Sequence, residues 1–269
     1  MLIEIENTSS PGASFTSNTN LVLLKTYEWI CDHKGITLPF REFRMRLQSE
    51  KGINDNNNRN IYPLLKNGGL ASYEKGEDLQ VDYFYTNTGL AYVKTIETVT
   101  MIKAEDYSKK QIEEATKKFE VIQQEIIFGA LKNIVNHPEV NYVEPFQDMI
   151  CFLLKFGKIS KIEFAYLLYV KQQKEIREAL KSMQSQVEMY RCGDLEIEVH
   201  VKVRNDIELR EKTNMDKRKE GLSFLTSYGY FTSLLQQAGL IKKADKYYEI
   251  IEEKRALLEQ LGGNRDGWI

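Results

Sequence analysis

Leu64-Leu65-Lys66-Asn67-Gly68-Gly69-Leu70 lines up with Leu234-Leu235-Gln236-Gln237-Ala238-Gly239-Leu240. Both stretches run Leu-Leu, two polar residues, a small residue, Gly and Leu. That is the punctuation of a helix C-terminus: Gly takes a left-handed conformation and the apolar residue after it folds back on the last turn. A short extended segment is expected after each stop. Helix, Gly stop and extended ribbon is how the third helix of a winged helix-turn-helix passes into its wing. Found twice in one chain, the pattern predicts a duplicated unit of the kind that reads DNA.

The chain has 269 residues, 42 % of them apolar, with 15 Tyr and 12 Phe. That length allows one large domain or two ordinary ones. Five prolines and few turn clusters favour helix over an all-β sandwich. The net charge of −2 supplies no global positive field, so a phosphate-binding surface has to be a local patch. Cys31, Cys151 and Cys192 lie far apart and form no metal ribbon or disulfide framework; they read as thiols of a reducing cytosol. His33, His137 and His200 lack metal-ligand spacing. There is no apolar run of membrane-spanning length and no signal-like N-terminus, so the expected location is the cytoplasm, away from membranes.

Working outward from the first Gly stop, residues 7–20 form a polar arm, and a helix is expected from Asn20 to His33, ended by Gly35. Thr37-Leu38-Pro39 is expected to start a second helix with Phe40, Phe43 and Leu47 on its apolar face. Asn54-Asp55-Asn56-Asn57-Asn58 reads as a loop before the third helix. Glu74-Lys75-Gly76-Glu77-Asp78 is the expected wing tip. Val81, Tyr83 and Tyr85 alternate as in a strand, and Thr86-Asn87-Thr88-Gly89 reads as strand exit and helix N-cap. A long helix from Ser108 to Asn136 carries Ile112, Ala115, Phe119, Ile122 and Ile126 at three-four spacing; it reads as a spacer, with a coiled-coil dimer helix as the other option.

Around the second stop, Phe146–Phe156 is apolar on all sides, Gly157 breaks it, and Ser160 caps the next helix. An inserted helix is expected over Lys171–Tyr190. Leu195–Arg204 alternates apolar and charged residues and is the clearest strand of the chain. A last long helix is expected over Lys217–Ala238, followed by a strand-like Leu240-Ile241 and a closing helix over Tyr248–Leu261. The expected division is therefore 1–104, a first unit with its arm; 105–141, a helical spacer; and 142–269, a second unit. The fold class is mainly α (α+β), with two winged helix-turn-helix units in tandem.

Basic and amide side chains gather where DNA contacts would lie: Arg41, Arg44, Arg46, Asn57, Asn58, Arg59 and Asn60 in the first unit, and Lys217, Arg218 and Lys219 in the second. Arg can bond guanine in a bidentate manner, and Asn can do the same for adenine. A bland reading sets Glu42, Glu50, Asp55, Glu211 and Asp216 beside them and makes both groups solvated faces. Lys242, Lys243 and Lys246 would track a phosphate backbone from the second wing. Asp194, Glu196, Glu198 and Lys202 resemble raw material for a magnesium nuclease. His200 stands where the carboxylate before the Lys would be needed, so no catalytic residue or metal ligand is expected in this chain.

Three stretches resemble the DNA-recognition region of AlwI-like type IIS restriction endonucleases and their nicking relatives. They are Tyr85-Thr86-Asn87-Thr88-Gly89-Leu90-Ala91-Tyr92, then Glu144-Pro145-Phe146 with Leu153 to Phe164, and Gly221 to Ile241. Their order agrees over roughly residues 20–260. The resemblance implies a duplex-DNA recognition fragment whose Mg²⁺-dependent nuclease belongs to a domain or subunit absent from this chain, or a protein that has lost its nuclease. The helices at about 57–67 and 215–237 would enter the major groove, while the arm and wings touch backbone or minor groove. Two other classes fit the layout: a plasmid replication initiator and a winged-helix protein-interaction scaffold.

Overall fold

The computed structural model describes residues 1–137, 139–173, 175–202 and 225–262. The chain is mainly helical with small sheets, and it divides into two compact units: Pro11–His137, and Met1–Ser10 together with Pro138–Ile269. The first strand, β1 (Leu2–Glu6), thus belongs to the second unit.

The first unit opens with α1 (Ser17–Asp32), capped by Thr16, whose Oγ1 accepts from the Thr19 amide at 3.3 Å. A short strand β2 (Thr37–Pro39) leads into α2 (Phe40–Lys51), which buries Phe40, Phe43 and Leu47 and ends at Gly52 with φ 65°. Next come α3 (Asp55–Asn67) and β3 (Asp78–Gln80), which returns antiparallel to β2 with Leu38 opposite Leu79. Trp29, Phe43, Tyr62 and Phe84 are fully buried and pack edge-on or tilted, with ring centroids of Phe43–Phe84 at 5.0 Å and Tyr62–Phe84 at 5.1 Å. α4 (Asn87–Ala104) starts from Thr86, whose Oγ1 accepts from the Gly89 amide at 3.1 Å. A Cβ on Gly89 would stand 1.8 Å from the Leu70 carbonyl oxygen, so only glycine lets α4 begin against the end of α3. α5 (Lys109–Val135) closes the unit behind a Ser108–Gln111 capping box.

In the second unit, α6 (Val143–Phe156) ends at Gly157 with φ 75°. It is followed by β4 (Lys158–Ser160), α7 (Lys161–Lys171), α8 (Ile176–Cys192) and β5 (Glu198–Lys202). Then come α9 (Thr226–Gln237), the hairpin β6 (Ile241–Ala244) and β7 (Tyr247–Ile250), and α10 (Arg255–Gly262). One antiparallel sheet has the order β4-β7-β6, and a separate parallel pair joins β1 to β5 with Ile3 opposite Val199 and Ile5 opposite Val201. Phe146, Phe164 and Phe231 meet in the core, with Phe146–Phe231 at 5.1 Å.

Both Gly stops have the same geometry. The Leu70 amide donates to the Leu65 carbonyl at 2.8 Å with Gly69 at φ 71°, and the Leu240 amide donates to the Leu235 carbonyl at 3.0 Å with Gly239 at φ 68°.

Several expectations are corrected. Thr37-Leu38-Pro39 is a strand, because it pairs with β3 and Pro39 holds Leu38 extended. Val81–Tyr83 is a 3₁₀ turn: Val81 and Phe84 are buried while Tyr83 is 68 % exposed, a spacing of three where alternation suggested two. Tyr248 lies in β7, since a two-residue turn at Asp245 (φ 53°) sends the chain back, and the closing helix begins only at Arg255. The helix expected as a spacer packs within the first unit: Ala130 sits on Gly68, and the Asn133 amide donates to the Gly68 carbonyl at 3.0 Å. The dividing point therefore falls after His137, in place of a separate 105–141 segment.

Candidate nucleic-acid interface

The four sequence-selected arginines of the first unit come from α2 and the first turns of α3. Arg41 is exposed on α2. Arg46, one turn on, donates to Glu42 from Nη2 at 2.6 Å. Arg44 reaches Asp55 Oδ1 with both Nε, at 3.1 Å, and Nη2. Arg59 Nε reaches Asp55 Oδ2 at 2.8 Å, yet its side chain remains 65 % exposed. Asp55, at the start of α3, is thus held between two guanidinium groups. The hydrogen bond from Arg44, followed by the charges of Arg44 and Arg59, draws its carboxyl below the usual range. The first turn of a helix also favours that negative charge.

The arrangement pre-orients Arg59 and leaves its outer edge open. A guanidinium so placed can take an anion or a base edge without losing its carboxylate partner. The same pairing lowers the net positive charge of the face. Lys66 is spent similarly, with both Glu74 oxygens at 2.8 Å from its Nζ.

Asn60 is exposed beside Arg59. Its carboxamide abuts Gly12, where a Cβ would stand 2.9 Å from Oδ1. Asn58 corrects the expected set: it is 1 % exposed, and among the described residues neither Oδ1 nor Nδ2 has a hydrogen-bond partner. A loop reading turned it outward, but the segment is helical and this position faces the core. The arm is corrected too. Pro11, Ala13, Ser14 and Phe15 are buried, and Phe15 packs edge-on against Tyr92 at 5.4 Å, so this part of it is tied to the unit. The side chain of Asn57 lies outside the described residues, as do Lys217, Arg218 and Lys219.

In the second unit the described cationic side chains gather on the hairpin. Lys242, Lys243 and Lys246 are exposed. Lys158 stands 4.5 Å from the Tyr247 ring, and Lys246 lies 5.4 Å from Tyr247 and 5.6 Å from Tyr190. Burial raises the Tyr247 hydroxyl pKa and lowers that of Lys161. This group was legible only in part: the three hairpin lysines stood out in sequence, whereas Lys158, Tyr190 and Tyr247 are brought to them by pairing between distant strands and by α8.

The strand weighed as a nuclease element begins at Glu198 and pairs with β1, placing His200 opposite Glu4 and 3.4 Å from Glu198. Among the described residues, no three His, Cys, Asp or Glu side chains converge as metal ligands. No helix among them is long and apolar enough to cross a membrane. Compared with known protein families, with curated proteins and with solved structures, the chain matches none.

Proposed function

We propose that the chain is a sequence-specific reader of duplex DNA, built from two winged helix-turn-helix units and equivalent to the recognition region of a type II restriction endonuclease. The observation that carries this reading is the shared order of elements. Each unit contains helix, short strand, helix, a later helix ending in the same Gly-Leu stop, and a strand antiparallel to that short strand; in the second unit α8 and β5 come before the later helix and β6 before the returning strand. In the first unit the later helix, α3, turns Arg59 and Asn60 outward at its start. A helix of this kind reads the major groove with its N-terminal residues.

In this reading Arg59 and Asn60 contact base edges, Arg41 and Arg46 hold phosphates, and Lys242, Lys243 and Lys246 follow the backbone from the second wing. Cleavage falls to a separate Mg²⁺-dependent nuclease domain or subunit.

Selection from a random-sequence duplex pool tests the reading. One short asymmetric site supports a restriction-type reader. A longer repeated site would move the chain to the replication initiators, and no enrichment at any salt would leave a protein-docking role instead.

A further inference from the structure

The first half of α5 carries apolar side chains that its own unit covers only in part. The buried residues of this helix, Ile127, Ala130, Leu131 and Ile134, all lie in its second half. Before them, Ile112, Ala115, Phe119 and Ile126 are half-buried and Ile122 is 42 % exposed. The inward side is fixed by Gln123, which donates to Thr95 of α4 at 3.1 Å, and by Ile127. At about 100° per residue, the stripe runs along one flank of that contact. Its spacing of three and four is that of a helix-pairing seam.

The charges beside the stripe behave differently from those elsewhere on α5. Lys117 pairs with Glu113 at 2.9 Å and Lys110 with Glu114 at 3.9 Å, both within the helix. Lys118 and Glu125 are exposed, and neither forms an ion pair with a described residue. They stand about 10 Å apart along the axis, too far to meet each other. The next position of the seam is Gly129, a residue that weakens a helix interior, and a Cβ there would meet nothing within 4 Å. The first unit gives no packing reason for that glycine.

We propose that this stripe is the interface of a symmetric antiparallel dimer formed by α5 of two copies of the chain. With the two-fold axis between Glu120 and Val121, Phe119 lies level with Ile122 of the second copy, Ala115 with Ile126, and Ile112 with Gly129. Large residues then meet small ones at both ends. The same register brings Lys118 to within two residues, about 3 Å along the axis, of Glu125 of the second copy on the flank of the seam, twice per interface. In a parallel in-register pair, Lys118 would flank Gln123 of the second copy and Glu125 would flank Ala130, five residues on in each case, so neither charge would meet an opposite one. The seam spans about 27 Å of helix, short enough for a weak dimer in the micromolar range.

Sedimentation equilibrium of the intact chain tests this, with helical circular dichroism confirming that each variant folds. The unaltered chain passes from monomer to dimer as concentration rises through the micromolar range. Lys118→Glu and Glu125→Lys each weaken the dimer by roughly tenfold. An equimolar mixture of these two variants recovers the original affinity, because every interfacial pair is then of opposite sign. Ile122→Lys abolishes association. A chain that stays monomeric at every concentration, a dimer indifferent to either reversal, or a mixture that fails to recover would overturn the proposal.

Discussion

Arg191 of α8 donates from Nε to Glu163 of α7 at 2.6 Å, and Glu163 is only 1 % exposed. The other guanidinium nitrogens donate to the carbonyls of Phe156 at 3.1 Å and Lys158 at 2.8 Å. One side chain of the inserted helix therefore joins the end of α6, the strand β4 and the start of α7. Glu163 also completes the capping box by accepting from the Ser160 amide at 2.6 Å. Removing Arg191 leaves a buried carboxylate without its cation. Arg191→Met is expected to cost about 3–5 kcal/mol. Arg191→Met with Glu163→Gln should recover much of that loss, because the glutamine carbonyl still serves the cap. Urea denaturation of the single and double variants checks it, and additive losses would show that the two side chains do not act as a pair.

The two Gly stops give a matched pair of substitutions. Ala at a left-handed position costs about 1 kcal/mol from backbone strain alone. Gly239→Ala should show about that loss. Gly69→Ala should lose more, since a Cβ there would stand 2.7 Å from the Asn133 amide nitrogen. Thermal unfolding of both variants tests the order; equal losses would argue against the close approach of α5.

Asn58 keeps a polar group in the core with no hydrogen bond to any described residue. Asn58→Leu is of similar volume and should stabilise the protein by about 1–2 kcal/mol. Duplex affinity should stay unchanged, because the side chain faces inward. A lower melting temperature or a weaker complex would contradict this placement.

Asp55 links pH to stability. Its carboxyl ionises below its ordinary value because Arg44 and Arg59 hold the charged form. A carboxyl depressed on folding stabilises the protein above its unfolded value, near 4, and that contribution is lost as pH falls through the lower folded value. Asp55→Asn should therefore flatten the acid limb of stability below about pH 4. It should also strengthen salt-sensitive duplex binding, since one carboxylate leaves the face. Stability profiles of the two proteins between neutral and acid pH test the first effect; identical acid limbs would count against it.

What the sequence showed and what it hid follow from the range of the interactions involved. The Gly stops, the Thr86 and Ser160 caps and the body of α5 depend on neighbours within a few residues, and all were legible. β1 was not, although Leu2-Ile3-Glu4-Ile5-Glu6 alternates as a strand should: its partner, β5, begins at Glu198 and pairs in parallel. The arginines of α2 stood out by type, but the sharing of Asp55 between Arg44 and Arg59 needed the α2–α3 angle. Asn58 misled because Asn runs suggest loops, whereas here the helix starts at Asp55.

Titration of the selected duplex across a range of salt concentrations decides whether α3 presents Arg59 and Asn60 to DNA, as we propose. Binding should weaken linearly in log salt. Arg59→Ala should lose about 1–3 kcal/mol and relax the preference at one base pair. Affinity and preference that survive Arg59→Ala and Asn60→Ala unchanged, or binding indifferent to salt, would contradict it.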